Sequence, residues 1–284
     1  MASYEIVGST QDAVAPVLIV AFEDWVDAGS AGSTAARHIA QGGDVAVDFD
    51  PDMLYDYRSH RPILDIVDGS PTSIAMPRMR MWRRAISERD FFVLTGPEPD
   101  YRWREFAAGV LRVARDIGIQ EHVSLGAIPS AVPHTAPTPV MMTASSKDAV
   151  SGQPVVEGLL RVPAAAVSLI EWSNAQAGIA TVGFWAQVPH YASPYTAGAI
   201  ALVRRVETHL DVTIGAGDLE TEAAAQAKTL SELIAANAEA QEYVERLQHL
   251  VGEQDVPTAE NIAEEVERFL RNQRRGGGPT PFSP

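Results

Sequence analysis

Four short apolar runs, Val17–Phe22, Asp90–Thr95, His122–Ala127 and Thr181–Ala186, set the tightest limit on what this chain can fold into. Each is too short for an ordinary helix and is bounded by turn residues, the pattern of a buried strand. Between them lie segments with helical character. One, rich in Ala, Ser and Gly, follows Asp27 and stops at Gly42-Gly43; another runs from Asp100 to Ile117 and is closed by Gly118; a third runs from Pro163 to Ala177 and is closed by Gly178. Glycine just past the last periodic residue ends a helix, since it alone enters the left-handed conformation there without steric cost. Strand and helix alternating in this way predict an α/β core with a mixed, largely parallel sheet, and right-handed crossovers would place helices on both faces.

Composition narrows the function classes. At 284 residues and 46% hydrophobic, the chain can bury a large core in one domain or two modest ones. It has no cysteine, which excludes a disulfide framework, a thiolate nucleophile and any cysteine-ligated zinc or iron–sulfur centre. A formal charge of -15 argues against nucleic acid and anionic membranes as partners, because both need a positive footprint. The start, MASYEIVGST, lacks a basic region followed by an apolar run, and no stretch approaches the ~20 apolar residues that span a bilayer. The cytoplasm is the expected compartment.

Charge is concentrated late in the chain. Residues 217–273 hold 13 acidic and 4 basic side chains. From Asp218 to Val251 the apolar residues Leu219, Ala223, Leu230, Ile234, Tyr243, Val244, Leu247 and Val251 fit one stripe of a helix whose other face is Glu-rich. Gly252 and Pro257 break it, and Thr258 can cap a second helix bearing Ile262, Val266, Phe269 and Leu270. The expected organisation is an α/β core over 1–216, an acidic helical hairpin over 217–273 that packs on the core or on a second subunit, and a flexible Gly/Pro-rich tail over 274–284.

A weak internal echo directs attention to two histidines. DIGIQEHVSLGAIPSAVPHT and AQAGIATVGFWAQVPHY both run from a helix end through Gly-Ile, a strand and a loop to Val-Pro-His. Ligands of open α/β sheets sit beyond the strand carboxyl ends, where His134 and His190 would fall. The alternative is structural: a proline stops each strand and a polar ring satisfies loop carbonyls.

Three further stretches join strands to helices. In Val17–Thr34 a strand passes through the acidic, aromatic loop of Glu23, Asp24, Trp25 and Asp27 into a helix of small residues. Free amides at such an N-terminus can hold an anion, but these carboxylates would repel phosphate. Asp27 reads more simply as a helix cap, with Ala28, Gly29, Ala31 and Gly32 letting the helix lie close to the sheet. Leu94–Arg104 places Glu98, Asp100, Arg102, Trp103 and Arg104 near one sheet edge, either as acid/base machinery or as a capping Asp100 in a solvated charge cluster. Asp50–Pro62 has little room for an amphipathic helix; its His60 is either catalytic or a surface residue near a partner. The chain shows no GxSxG elbow, HExxH, P-loop, GxGxxG or DxDxDG loop, and its seven histidines show no metal-ligand spacing. No cofactor, no metal and no assigned catalytic residue are therefore expected. Trp25, Asp27, Gly29, His60, Glu98, Asp100, His134 and His190 form the candidate ligand or partner crevice.

These stretches resemble the PAC2 family, prokaryotic proteins similar to proteasome assembly chaperone 2. The likeness rests on Phe22-Glu-Asp-Trp-Val-Asp-Ala-Gly-Ser-Ala, Phe49-Asp-Pro-Asp-Met-Leu-Tyr-Asp-Tyr-Arg-Ser-His-Arg-Pro, Gly96-Pro-Glu-Pro-Asp-Tyr-Arg-Trp, Val132-Pro-His-Thr and Val188-Pro-His-Tyr, in order across residues 17–195. The resemblance implies a three-layer α/β/α fold like that of the nucleoside phosphorylase and hydrolase class. It also implies assembly with copies of itself, as a dimer or trimer, and chaperoning of proteasome α-ring subunits rather than catalysis. One motif departs: docking members end in a hydrophobic-Tyr-any tripeptide, whereas this sequence ends Phe282-Ser283-Pro284. The leading expectation is a non-enzymatic homo-oligomeric assembly or scaffold protein; the alternative is a small-molecule binder or enzyme, phosphorylase- or hydrolase-like, working in the crevice. A third reading makes the acidic segment an adaptor for arginine-rich partners.

Overall fold

The computed structural model describes residues 4–150, 153, 155 and 158–251. The second acidic helix and the tail expected from the sequence lie outside them. The strands are β1 (Tyr4–Ile6), β2 (Val17–Glu23), β3 (Asp44–Phe49), β4 (Ile63–Val67), β5 (Ser70–Ala75), β6 (Met79–Ile86), β7 (Arg89–Pro97), β8 (Glu121–Ser130), β9 (Val140–Ala144) and β10 (Ala180–Pro189). The helices are α1 (Ala31–Ala40), α2 (Pro51–Leu54), α3 (Trp103–Ile117), α4 (Ala166–Gln176), α5 (Thr196–Leu210), α6 (Asp218–Ala235) and α7 (Ala238–Val251). The fold is α/β with a mixed main sheet. Among the described residues no helix is long and apolar enough to cross a membrane.

The chain divides into two compact units, and β8 contributes to both. The first takes in residues 1–25, 36–124 and 164–181. Its strands lie in the order β1-β3-β6-β7-β2, followed by the opening residues of β8. β2 is parallel to β7, with Val17 opposite Phe91 and Glu23 opposite Pro97, and parallel to β8, with Val17 opposite Glu121. The β6–β7, β3–β6 and β1–β3 pairs are antiparallel. Val17–Phe22 are almost wholly buried, as a strand enclosed on both faces requires. Phe106 of α3 anchors the core beneath it, packing against Phe22 at 5.9 Å and edge-on to Phe49 at 5.1 Å. β4 and β5 form a separate two-stranded sheet.

The second unit takes in residues 26–35, 125–163 and 182–284. Here the rest of β8 lies beside β10, and β9 closes the edge antiparallel to β10, Phe184 opposite Met142. The long acidic stripe is not one helix: α6 ends at Ala235 and α7 begins at Ala238. Asn237 makes the break, its side chain accepting from the Ala240 amide as an N-cap does. Of the stripe read from the sequence, Leu219, Ile234, Val244 and Leu247 are buried and Ala223, Leu230 and Tyr243 half-buried.

Phe106→Ala is expected to lower stability by about 3–5 kcal/mol, read as a shift of the urea midpoint.

Candidate functional site

In the first unit the parallel pair β2–β7 delivers carboxylates at its C-terminal end. Beyond Glu23 the chain turns at Asp24, held at φ 81°, and beyond Pro97 come Glu98 and Asp100. Asp100 does not cap α3, whose N-cap is Arg102. Its Oδ2 instead accepts from the Asp56 amide at 2.7 Å and lies 2.9 Å from His60 Nδ1. The other imidazole nitrogen, Nε2, lies 3.2 Å from Asp24 Oδ2. The ring is thus clamped between two carboxylates with Tyr55 against it, 5.2 Å between centroids. Tyr55 donates its hydroxyl to the Pro97 carbonyl at 3.0 Å, fixing the loop that carries His60.

Electrostatics follow from this geometry. Partial burial would lower the His60 pKa, but hydrogen bonds to Asp100 and Asp24 outweigh it and hold the ring above its ordinary value. Burial raises the Glu98 carboxyl, as do Asp24 and Asp100 nearby, against the Ala166 amide that donates to it at 2.6 Å. The cluster sets an imidazole between two carboxylates with a third, Glu98, beside them, an arrangement able to hold or move a proton.

The second unit holds Asp27 and Gly29. Asp27 is buried, and its Oδ1 accepts from the amides of Gly32 at 2.7 Å and Ser33 at 3.1 Å, so it caps α1 and occupies the donors an anion would need. A Cβ at Gly29, where φ is 62°, would lie 2.8 Å from Tyr195 Cβ, and one at Gly32 would lie 3.0 Å from Gly126 Cα. The small residues are there for close approach, as the sequence suggested.

His134 and His190 meet through Tyr191. The Tyr191 hydroxyl accepts from the His134 amide at 3.0 Å and lies 3.2 Å from its Nδ1. His134 Nε2 is 3.2 Å from Ser231 Oγ, which already donates to the Ala227 carbonyl. Nε2 therefore carries the proton, and Nδ1 accepts from the tyrosine. Burial lowers this imidazole's pKa, consistent with a neutral ring. His190 stands edge-on to Tyr191 and Tyr243, both at 5.5 Å, at a cleft of about 410 Å³ shared with Asn237, Glu239 and Arg246. The two Val-Pro-His exits thus anchor α6 and α7.

Of the eight residues singled out, His60, Glu98 and Asp100 come together in the first unit, where Trp25 is half-buried. Asp27, Gly29, His134 and His190 belong to the second. Sequence reasoning missed Asp24, Tyr55, Tyr191 and Tyr243 as partners. Asp24 was visible as one of three acids in its loop, and Tyr191 as the residue after Val-Pro-His. Among the described residues no group of three or more His, Asp or Glu side chains could hold a metal ion.

Residues 21–234 match the PAC2 family model. A protein of unknown function from Mycobacterium tuberculosis superposes with a TM-score of 0.84 at 31% identity, covering 96% of each chain. A proteasome-assembly chaperone homologue from the same organism superposes at 0.74 with 36% identity, covering 80% of this chain and 99% of that one. A PAC2 family protein from Streptomyces avermitilis follows at 0.71 and 33%, with 81% and 99% covered. No curated protein matches. The chain belongs to the PAC2 family.

Two outcomes are expected from the site. His60 gains proton affinity on folding, so its contribution is full below the unfolded value near 6.5 and fades as pH rises through the higher folded value. Wild type should exceed His60→Ala in thermal midpoint at pH 5.5 by more than at pH 9. Asp27→Ala removes the α1 cap and should cost about 1–2 kcal/mol in chemical denaturation, while Asp27→Asn retains most of it.

Proposed function

We propose that this chain is a homo-oligomeric assembly protein that acts by binding rather than catalysis, and that proteasome subunits are what it helps to assemble. The carrying observation is its likeness, across nearly the whole of that relative, to the proteasome-assembly chaperone homologue of M. tuberculosis. Fold kinship alone would not support a function, but 36% identity over 80% of this chain goes beyond a likeness of fold. Two further features agree with the reading. The imidazoles are committed to internal partners, and α6 and α7 present Glu220, Glu222, Glu232, Glu239, Glu242 and Glu245 on exposed surface, a field suited to guiding association with basic partners. The expected setting is the cytoplasm, and the expected assembly a dimer or trimer.

A second reading is favoured by one observation, the His60 clamp: the first unit binds a small molecule there. A thermal-shift ligand screen in which a hit survives His60→Ala unchanged would exclude that location.

The test of the main reading is recovery of partners on the tagged full chain from its own cells at low salt, identified by mass spectrometry together with the native mass of the complex. Proteasome α subunits should be recovered, and Glu239→Gln, Glu242→Gln and Glu245→Gln combined should reduce their yield several-fold, as raised salt should. A monomeric native mass with no proteasome subunit would refute it.

A further inference from the structure

Among the described residues the β4–β5 hairpin has no partner that accounts for its composition. All thirteen residues from Ile63 to Ala75 are exposed, and Ile63, Leu64, Ile66, Val67 and Ile74 are each 51–65% accessible. The turn is Asp68-Gly69, both at positive φ, as a two-residue hairpin turn demands. An isolated two-stranded sheet is marginal in water, and this one places aliphatic side chains on both faces. Such a patch calls for cover.

The same unit carries a surface complementary to it. Helices α3 and α4 lie side by side, and Arg104, Ala107, Leu111, Arg115, Leu169 and Trp172 line a groove of about 530 Å³ between them. Trp172 is 69% exposed, the condition of an unfilled binding anchor. Neither Arg104 nor Arg115 makes an ion pair within the described residues. From Pro62 to Pro77 the hairpin segment has two acids, Asp65 and Asp68, and no cation. The helix rises about 16 Å between the two arginines, and Asp65 and Asp68 lie about 10 Å apart along the hairpin, a difference that two long arginine side chains can span.

We infer that the β4–β5 hairpin of one copy docks in the α3–α4 groove of another, its aliphatic residues against Trp172 and Leu111 and its acids toward Arg104 and Arg115. This rests on the homo-oligomeric reading above and names the contact that makes it. Pairing hairpin with hairpin is disfavoured, since it would bring the acids of two copies together. One hairpin in one groove falls short of the ~20–30 residues a side of a standard interface. A closed assembly, in which every copy both gives a hairpin and receives one, is therefore favoured over a single contact.

The test is sedimentation of the full chain alone, as Ile66→Asp/Ile74→Asp, as Trp172→Glu, and as an equal mixture of the two variants. These side chains are exposed, so far-UV circular dichroism should be unchanged. Wild type should associate, each variant alone should do so at least tenfold more weakly, and the mixture, left with one contact per pair, should form a two-chain species weaker than the wild-type assembly at concentrations where each variant alone stays monomeric, because one variant keeps a groove and the other a hairpin. Association of Trp172→Glu like that of wild type, or no recovery on mixing, overturns the hairpin–groove contact while leaving self-assembly intact. A monomeric wild type overturns both.

Discussion

Burial of β2 is the constraint from which the first unit's chemistry follows. A strand with no face in water and parallel neighbours on both sides has no room for charge until it leaves the sheet, so the acids begin at Glu23 and Asp24. β7 keeps the same direction and register, so its own charged exit, Glu98 and Asp100, emerges at the same end. Gly96 belongs to that exit. At φ 156° its missing Cβ would sit 2.4 Å from the carbonyl oxygen of Arg78, the residue just before β6, which only glycine permits. Converging carboxylates repel one another, and the His60 clamp relieves this by placing an imidazole with raised proton affinity between two of them.

A second polar network lies inside the same unit and has the opposite electrostatic character. His122 on β8 is fully buried; its Nδ1 is 3.1 Å from the Asn174 amide and its Nε2 is 3.1 Å from Ser124 Oγ. The amide can only donate, so Nε2 carries the proton and donates to the serine, which is left to donate to Glu171. Burial drives the imidazole pKa down to about 3 and the carboxyl up to about 7, the latter moderated by the serine. Protonating His122 as pH falls below its ordinary value, or ionising Glu171 as pH rises above its own, both favour the unfolded chain. The network keys α4 to β8 in one register, and it does so best with both groups neutral.

The four apolar runs disclosed the parallel centre because they are buried on both faces and leave an unbroken hydrophobic signal. β6 was hidden by Arg80, Arg83 and Arg84, whose side chains fold back onto Asp48, Asp90 and the carbonyls of His38 and Ile39, so that a strand rich in cations is stabilised by tertiary pairing. The α6–α7 break was hidden because Asn237 interrupts helical spacing without the glycine or proline that usually signals a stop. At the site, residue types near strand ends were legible, but partners were not. Asp100 could be read as a helix cap from its position alone, and only the return of the 55–60 loop gives its carboxylate to Asp56 and His60 instead.

Three histidines near strand ends or in the loops facing them thus have three different uses. His60 bridges two carboxylates that raise its proton affinity, His134 is bound between a tyrosine and a serine, and His190 stands edge-on to Tyr191 and Tyr243. Their polar requirements are largely met from within the chain, which is how a loop becomes rigid enough to present a surface. Among the described residues, the aliphatic hairpin and Trp172 stand without apolar cover. Burial of apolar area is the interaction that an exposed Ile or Trp still lacks. That unmet apolar area is what supports the self-association inferred above.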